Sequence, residues 1–480
     1  MRWRDLLQLN EQHPLPADFF RSSRRVHFIG VGGIGMSALA LLLKSRGHDV
    51  SGSDASESAM LSQLREAGIR CFVGQKAENL GESEAIFYSS AIAPENPEFA
   101  AATQKNLPAW HRSQLLAHFV NGAKTSIAVS GTHGKSTTSA MIAHILTECG
   151  HNPTAVLGAI YPPFGSNLRV GNEDLIVVEA DESDGSFTLL KPTVAVVLNV
   201  EPEHLENYDE SEEELWRAFE LFDSSSSGWN ILNGDDGLMH QRLDPEGLAC
   251  YYGIDNNIAA VCASNVSTSS GRTQFILSSG NIKYPTHLNI PGLHNVSNAT
   301  GAVAAALTQL GLSRLNESLP HAAHTLQSFV GTLRRFERKG EARNIVVYDD
   351  YGHHPTEVRA TLDAAKEFLD RPIAVVFQPH RYSRTLALHR DFGSAFESAD
   401  KIIITQLYSA YETPIEGVSG RMVFDAVREN YPDKATFYAE NLDEAKKIAL
   451  EILESGDALL TMGAGDITKL GAQILEALSG

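Results

Sequence analysis

The sequence predicts an α/β protein of three domains, each built on a mainly parallel sheet with flanking helices. Three observations carry this reading. Short apolar, β-branched runs alternate with helical patterns along most of the chain, as in parallel strands buried on both faces and joined by helical crossovers. Two strand-to-helix junctions are glycine-rich, Gly30–Gly35 and Gly131–Gly134. A length of 480 residues matches about three domains of ordinary size.

In residues 1–123, Arg25 to Gly30 reads as a strand and Met36 to Ser45 as the helix after it, stopped by Gly47. Between them Gly30, Gly32, Gly33 and Gly35 permit a tight turn and close backbone approach to a diphosphate at a helix N-terminus. A second strand, Asp49 to Gly52, leads to Ser53 and Asp54, where an acid near a ribose is expected. The pattern alone fits an NAD enzyme, another diphosphate ligand, or a plain glycine turn. Ala85 to Tyr88 is a further strand, running into Ser89 and Ser90 at its carboxyl end, where ligands sit in open α/β sheets. This makes 1–123 a Rossmann-like domain, with a boundary near Asn121–Lys124.

Residues 124–335 hold the most specific stretch. Ile127 to Val129 reads as a buried strand and Ser139 to Leu146 as a helix, with Gly131, Thr132, His133, Gly134, Lys135, Ser136 and Thr137 between them. That is a shortened phosphate-binding loop, because Val129 stands where the longer pattern has its first glycine. Lys135, expected as an exposed loop lysine, would reach the β/γ-phosphates of ATP, and the Ser136 hydroxyl would bind Mg²⁺. The strand Leu175 to Val178 ends in acids: Glu179 is the first choice of Mg²⁺ ligand, with Asp181, Glu182 and Asp184 behind it. Val194 to Val200 is the next strand, with Asn199 and His204 at its end. The run Asp209 to Glu214 reads as a solvated helix start, and Ser264 to Arg272 as a polar loop. Asn295 and Asn298 precede an alanine-rich helix and are placed either to read a base edge or to cap that helix.

In residues 336–480, strands Asn344–Asp349, Ile373–Phe377, Lys401–Thr405, Ala435–Tyr438 and Ala458–Met462 alternate with helices. The polar clusters fall at strand ends: Asp349 to His354, Gln378 to Arg381 with Arg384, and Gly463 to Asp466. Arg381 and Arg384, three apart at a helix start, suit capture of a carboxylate.

A net charge of −20 argues against a non-specific nucleic-acid binder. No apolar run is long enough to span a membrane, and the first ten residues lack the apolar core of a signal peptide. The four cysteines show no C-x-x-C spacing and read as reduced residues of a cytoplasmic protein.

Seven ordered blocks resemble the Mur ligases over essentially the whole chain. They are His27–Ser37, Gly131–Lys135, Glu179–Asp184, His294-Asn295, Arg334–Phe336, Asp349–Glu357 and Phe377–Thr385. The resemblance implies a cytoplasmic ATP-dependent amide ligase acting on UDP-N-acetylmuramate and L-alanine; a related ligase that attaches a preformed tripeptide is the alternative. It implies a UDP-substrate site at Gly30, Gly32, Gly33, Gly35, Asp54, Ser89 and Ser90. ATP would meet the loop Gly131–Thr137 with Asn295, Arg334, Arg335 and Asp350. Mg²⁺ would lie on Ser136, Glu179 and His204, and alanine near Tyr351, His353, His380, Arg381 and Arg384. Catalysis would fall to Lys135, Glu179, His204, Arg335 and His353, in a monomer or weak homodimer. Three departures stand out: Ser136 replaces Thr, Glu203-His204 replaces Asp-His, and Tyr408–Glu412 differs from the usual Tyr-Ala-Ala-Gly-Glu. An ATP-gated binding module and an NAD-linked oxidoreductase are the readings from other classes.

Overall fold

The computed structural model describes residues 2–244, 247–269, 271–410 and 412–480. Its first sheet holds β1 (Arg25–Ile29), β2 (Asp49–Asp54), β3 (Arg70–Val73), β4 (Ala85–Tyr88) and β5 (Ala109–His111) in the order β3-β2-β1-β4-β5. All four pairings are parallel. The chain leaves β1 in one direction and returns on its other side, so the carboxyl end of β1 is a topological switch point. The glycine turn lies there.

The second sheet comprises β6 (Thr125–Ser130), β7 (Pro153–Tyr161), β8 (Ser166–Arg169), β9 (Asn172–Glu179), β10 (Val194–Val197), β11 (Trp229–Asn233), β12 (Cys250–Ile254), β13 (Val261–Ser269), β14 (Arg272–Ser279) and β15 (Ile282–Leu288). Its order is β15-β14-β13-β12-β11-β10-β6-β9-β7-β8. β6 pairs in parallel with β10 and β9, so the ends of all three open on one side. Val129 stands opposite Glu179, which puts that acid level with the start of the phosphate-type loop.

The third sheet runs β16-β17-β21-β18-β19-β20, from β16 (Glu337–Ala342), β17 (Ile345–Asp350), β18 (Ile373–Phe377), β19 (Lys401–Thr405), β20 (Ala435–Ala439) and β21 (Ala458–Met462). Only β16 is antiparallel. Alternate residues of its strands feed two separate cores: Val346, Val375 and Leu460 join one, Val347, Val376 and Leu459 the other. The sheet is therefore covered by helices on both faces, as continuous apolar runs require.

By compactness the chain forms two units. One is Met1–Ser264, Leu277–Tyr284 and Ser297–Leu326; the other is Asn265–Ile276, Pro285–Val296 and Gln327–Gly480. Three expectations change. Ser264 to Arg272 is not a polar loop: β13 and β14 occupy most of it with alternating burial, the polar residues taking the exposed face of half-buried strands, and Ser270 lies outside the described residues. The strand expected to reach Val200 ends at Val197. Asn295 and Asn298 lie within helix Leu293–Leu310 rather than at its cap. The charged edge strand β16 and the helix Trp3–Gln12 were not foreseen.

Candidate active site

The phosphate-type loop is built by fixing its backbone from below. Asn199, just beyond β10, accepts the His133 N–H at 2.7 Å and returns its amide to the His133 carbonyl at 3.0 Å. Its own carbonyl accepts the Thr132 N–H at 3.0 Å, and the Thr132 hydroxyl accepts the Glu201 N–H at 2.8 Å. Gly134 ends the loop at φ +86°, and a side chain there would start 2.5 Å from Asn298 Oδ1, so only glycine fits. Helix Lys135–Glu148 follows with no side chain capping its N-terminus, which leaves a polarised end facing the loop.

Lys135 is not the exposed lysine expected from the sequence. Its side chain is 12% exposed, and its ammonium lies 2.6 Å from Glu182 Oε2 while donating to the carbonyls of Gly131 at 2.7 Å and Thr132 at 3.0 Å. Burial works against its charge, but Glu182, Asp181 and Glu179 more than offset that and hold it above its ordinary pKa. This fixes the three reserve metal ligands differently from expectation. Glu182 pairs with Lys135. Asp184 accepts from Arg112 at 3.0 Å, Ser90 at 2.8 Å and the Ser186 N–H at 3.0 Å. Asp181 accepts the Ser183 N–H and hydroxyl, with Arg112 3.5 Å away.

Glu179, the first choice of metal ligand, ends β9 with its carboxylate packed against β7. Gly158 on β7 makes room for that carboxylate, since a side chain there would begin 2.0 Å from Glu179 Oε2. Ser136 sits in the first turn of its helix, and His204 at φ +56° lies beyond β10, flanked by Glu203 at 3.6 Å and Glu206 at 3.7 Å. The Ser136 hydroxyl and the Glu179 carboxylate are oxygen donors of the kind Mg²⁺ takes, and the His204 imidazole adds a nitrogen.

The glycine turn folds by using its own first N–H groups: Gly30 and Val31 donate to the Ser53 carbonyl at 2.8 and 2.9 Å, and Gly32 donates to Asp54 Oδ2 at 2.9 Å. Asp54 thus shapes the turn. The next helix, Ile34–Ser45, has no side-chain cap, so its first N–H groups point out for an anion. Ser90 at the end of β4 is bound into a cluster the sequence reading missed. His111 Nε2 donates to Ser90 Oγ at 3.0 Å, Ser90 Oγ in turn donates to Asp184, and Arg112 bridges Asp184 and Asp181. Arg112 Nη1 also lies 3.6 Å from where a side chain on Gly35 would begin. Asn167 adds bonds to the Ile34 carbonyl at 2.5 Å and Ser37 Oγ at 3.2 Å. The available signal was His111-Arg112 at the end of a strand, but β5 has only three residues and shows no periodicity.

In the other unit the carboxyl ends of β17, β21 and β18 lie side by side, with Met462 opposite both Asp350 and Phe377. Both Asp350 oxygens are used, accepting Phe336 N–H at 2.8 Å and Gly352 N–H at 2.7 Å. Arg334 Nη2 reaches the Gly463 carbonyl at 2.6 Å and Nε reaches Asp349 at 3.1 Å. Arg334 and Arg335 stack on Tyr351, their guanidiniums 4.9 and 5.3 Å from the ring centre. His353 Nδ1 donates to the Tyr351 carbonyl at 3.0 Å, which leaves Nε2 as the acceptor in the neutral ring. Its ring is 5.7 Å from that of His380, which stacks at 5.7 Å on Tyr408. Burial, reinforced for each by Arg384, keeps both rings neutral; His353 is held well below the usual imidazole range and His380 at about 4. Arg381, at φ +73°, precedes the helix that carries Arg384. Glu412 takes the Ser383 hydroxyl at 2.6 Å, and Tyr411 of the same divergent block lies outside the described residues. Asn295, with its amide on the Pro291 carbonyl at 2.7 Å, belongs to this unit, whereas Asn298 packs on the loop at Gly134.

The buried histidines set a pH dependence. His111, fully buried, is pushed down to about 4, chiefly by burial, as is His380. Below pH 6.5 the unfolded chain takes up these protons first, so the stability they provide is complete above 6.5 and is lost as pH falls towards 4. Each group contributes a slope of up to about 1.4 kcal/mol per pH unit in that window. Urea unfolding between pH 7 and 4.5 should show falling midpoints, with a shallower fall in His111→Gln. A flat profile would contradict the assignment.

Three family profiles match in order: "Mur ligase family, catalytic domain" over residues 25–124, "Mur ligase middle domain" over 129–306 and "Mur ligase, glutamate ligase domain" over 334–465. The chain belongs to the Mur ligase family. It is a ligase, of an ATP-dependent family. It is 39% identical to a UDP-N-acetylmuramate–L-alanine ligase of Sulfurihydrogenibium sp., over 95% of this chain and 98% of that one. It is 40% identical to that of Aquifex aeolicus over the same shares. Among solved structures it is similar to the UDP-N-acetylmuramate-alanine ligase of Thermotoga maritima, with a TM-score of 0.81 and 30% identity over 95% of this chain and 99% of that one. A murein peptide ligase from Psychrobacter arcticus shares the fold, with a TM-score of 0.71 at 24% identity. Among the described residues no helix is long and apolar enough to cross a membrane.

Proposed function

We propose that the protein joins L-alanine to the lactyl carboxylate of UDP-N-acetylmuramate in the cytoplasm, the first step of the peptidoglycan stem peptide, as a monomer or weak homodimer. The observation that carries this is near-40% identity, over 95% of this chain, to ligases named for those two substrates. Residues 1–123 would bind the UDP substrate, 124–335 ATP and 336–480 the amino acid. A carboxylate oxygen attacks the γ-phosphorus of ATP and ADP leaves; the neutral alanine amine then attacks the acyl carbon, phosphate leaves, and the proton lost from nitrogen goes to the departing phosphate or to water. Lys135 and the N–H groups of the loop stabilise charge on the transferring phosphoryl group. Mg²⁺ on Ser136, Glu179 and His204 would neutralise the phosphate oxygens further. His353 presents a neutral acceptor to the amine, but its depressed basicity suits orienting the nitrogen better than holding its proton.

The tripeptide-adding alternative is separable by product. Offered L-alanine and the free tripeptide together at equal concentration, the enzyme is expected to form the alanine product, read by mass spectrometry. Preferential tripeptide ligation would overturn the substrate assignment.

A further inference from the structure

Glu98 is fully buried in the first turn of helix Pro97–Gln104. A buried carboxylate is tolerated only where donors hold it, and Glu98 has four groups around it. Ser53 Oγ donates to Oε2, with His27 Nε2 at 3.6 Å from the same oxygen. Asn79 Nδ2 and the Lys76 N–H, the latter at 3.3 Å, donate to Oε1. Asn79 also donates to the Gly74 carbonyl at 2.9 Å, and Gly74 N–H donates to the Asp54 carbonyl at 2.8 Å. One carboxylate therefore ties together β1, the end of β2 and the loop after β3.

What hangs on this knot is the glycine turn. The Ser53 carbonyl takes the Gly30 and Val31 N–H groups, and the adjoining Asp54 carboxylate takes that of Gly32. Glu98 has no exposed surface with which to meet a ligand. An apolar residue would fill the same space without desolvating a charge, so the network's return is fixed geometry. We propose that Glu98, acting through Ser53, is the positioning residue of the diphosphate-binding turn, and that it sets affinity for the nucleotide sugar but not for ATP. This rests on reading Gly30–Gly35 as the UDP-substrate site.

The test is calorimetric titration of UDP-N-acetylmuramate and, separately, ADP into wild type, Glu98→Gln and Ser53→Ala, with steady-state kinetics and thermal melts. Ser53→Ala cuts the link while leaving Glu98 its other donors. Both variants are expected to weaken nucleotide-sugar binding and raise its KM by about tenfold or more, with kcat within about threefold and the KM for ATP unmoved. Unchanged nucleotide-sugar binding in the two folded variants would overturn the inference. So would equal loss of both ligands, the mark of general destabilisation. A wild type that binds ADP but no nucleotide sugar would overturn the site reading, and this inference with it.

Discussion

Lys135→Ala is expected to lower kcat by about 10³-fold or more, because in the proposed function its ammonium is the loop's side-chain cation for the transferring phosphoryl group. The structure adds a second consequence. Lys135 and Glu182 are 12% and 4% exposed at the side chain and 2.6 Å apart. Removing the lysine strands a buried carboxylate, an arrangement that costs about 3–5 kcal/mol before the acid protonates. The single variant should therefore be less stable as well as inactive. Lys135→Ala with Glu182→Gln separates the effects: stability should recover and turnover should not. Normal turnover in either variant would mean the loop does not bind the reacting phosphates.

Alanine recognition provides the second large effect. Arg381 and Arg384 stand at the start of the helix after β18, beside His380 and the Glu412 carboxylate. A charge-assisted bond to an amino-acid carboxylate contributes about 1.5–3 kcal/mol. Loss of the arginine that makes it should raise the KM for L-alanine by roughly 10- to 100-fold, while the KM for ATP stays within about twofold. Lysine at the same position should rescue only in part, since it lacks the planar fork. An unchanged alanine KM in both Arg381→Ala and Arg384→Ala would refute the pocket.

The sequence made the strands legible where they are buried on both faces. Ile373–Phe377, Lys401–Thr405 and Ala458–Met462 are apolar but for Lys401, Thr405 and Thr461, and have the predicted bounds. It hid what burial does not mark. β16 is charged because it is an edge strand, and β13 carries polar residues on its exposed side. The two glycine turns and Glu179 were readable because they sit at strand ends. Their partners were not. Nothing in the string says that Glu182 holds Lys135, that Asp184 holds Arg112 and Ser90, or that Asn199 holds the loop, since these pairs are far apart in sequence and form only when neighbouring strands align.

The most direct test of the account is phosphate release with each substrate omitted in turn. With ATP, UDP-N-acetylmuramate and L-alanine all present, one phosphate should appear per amide formed. Omitting either the nucleotide sugar or the amino acid should reduce steady-state release to background, because the acyl phosphate cannot form without the first or be consumed without the second. Sustained release at the full rate without L-alanine would contradict the ligase mechanism.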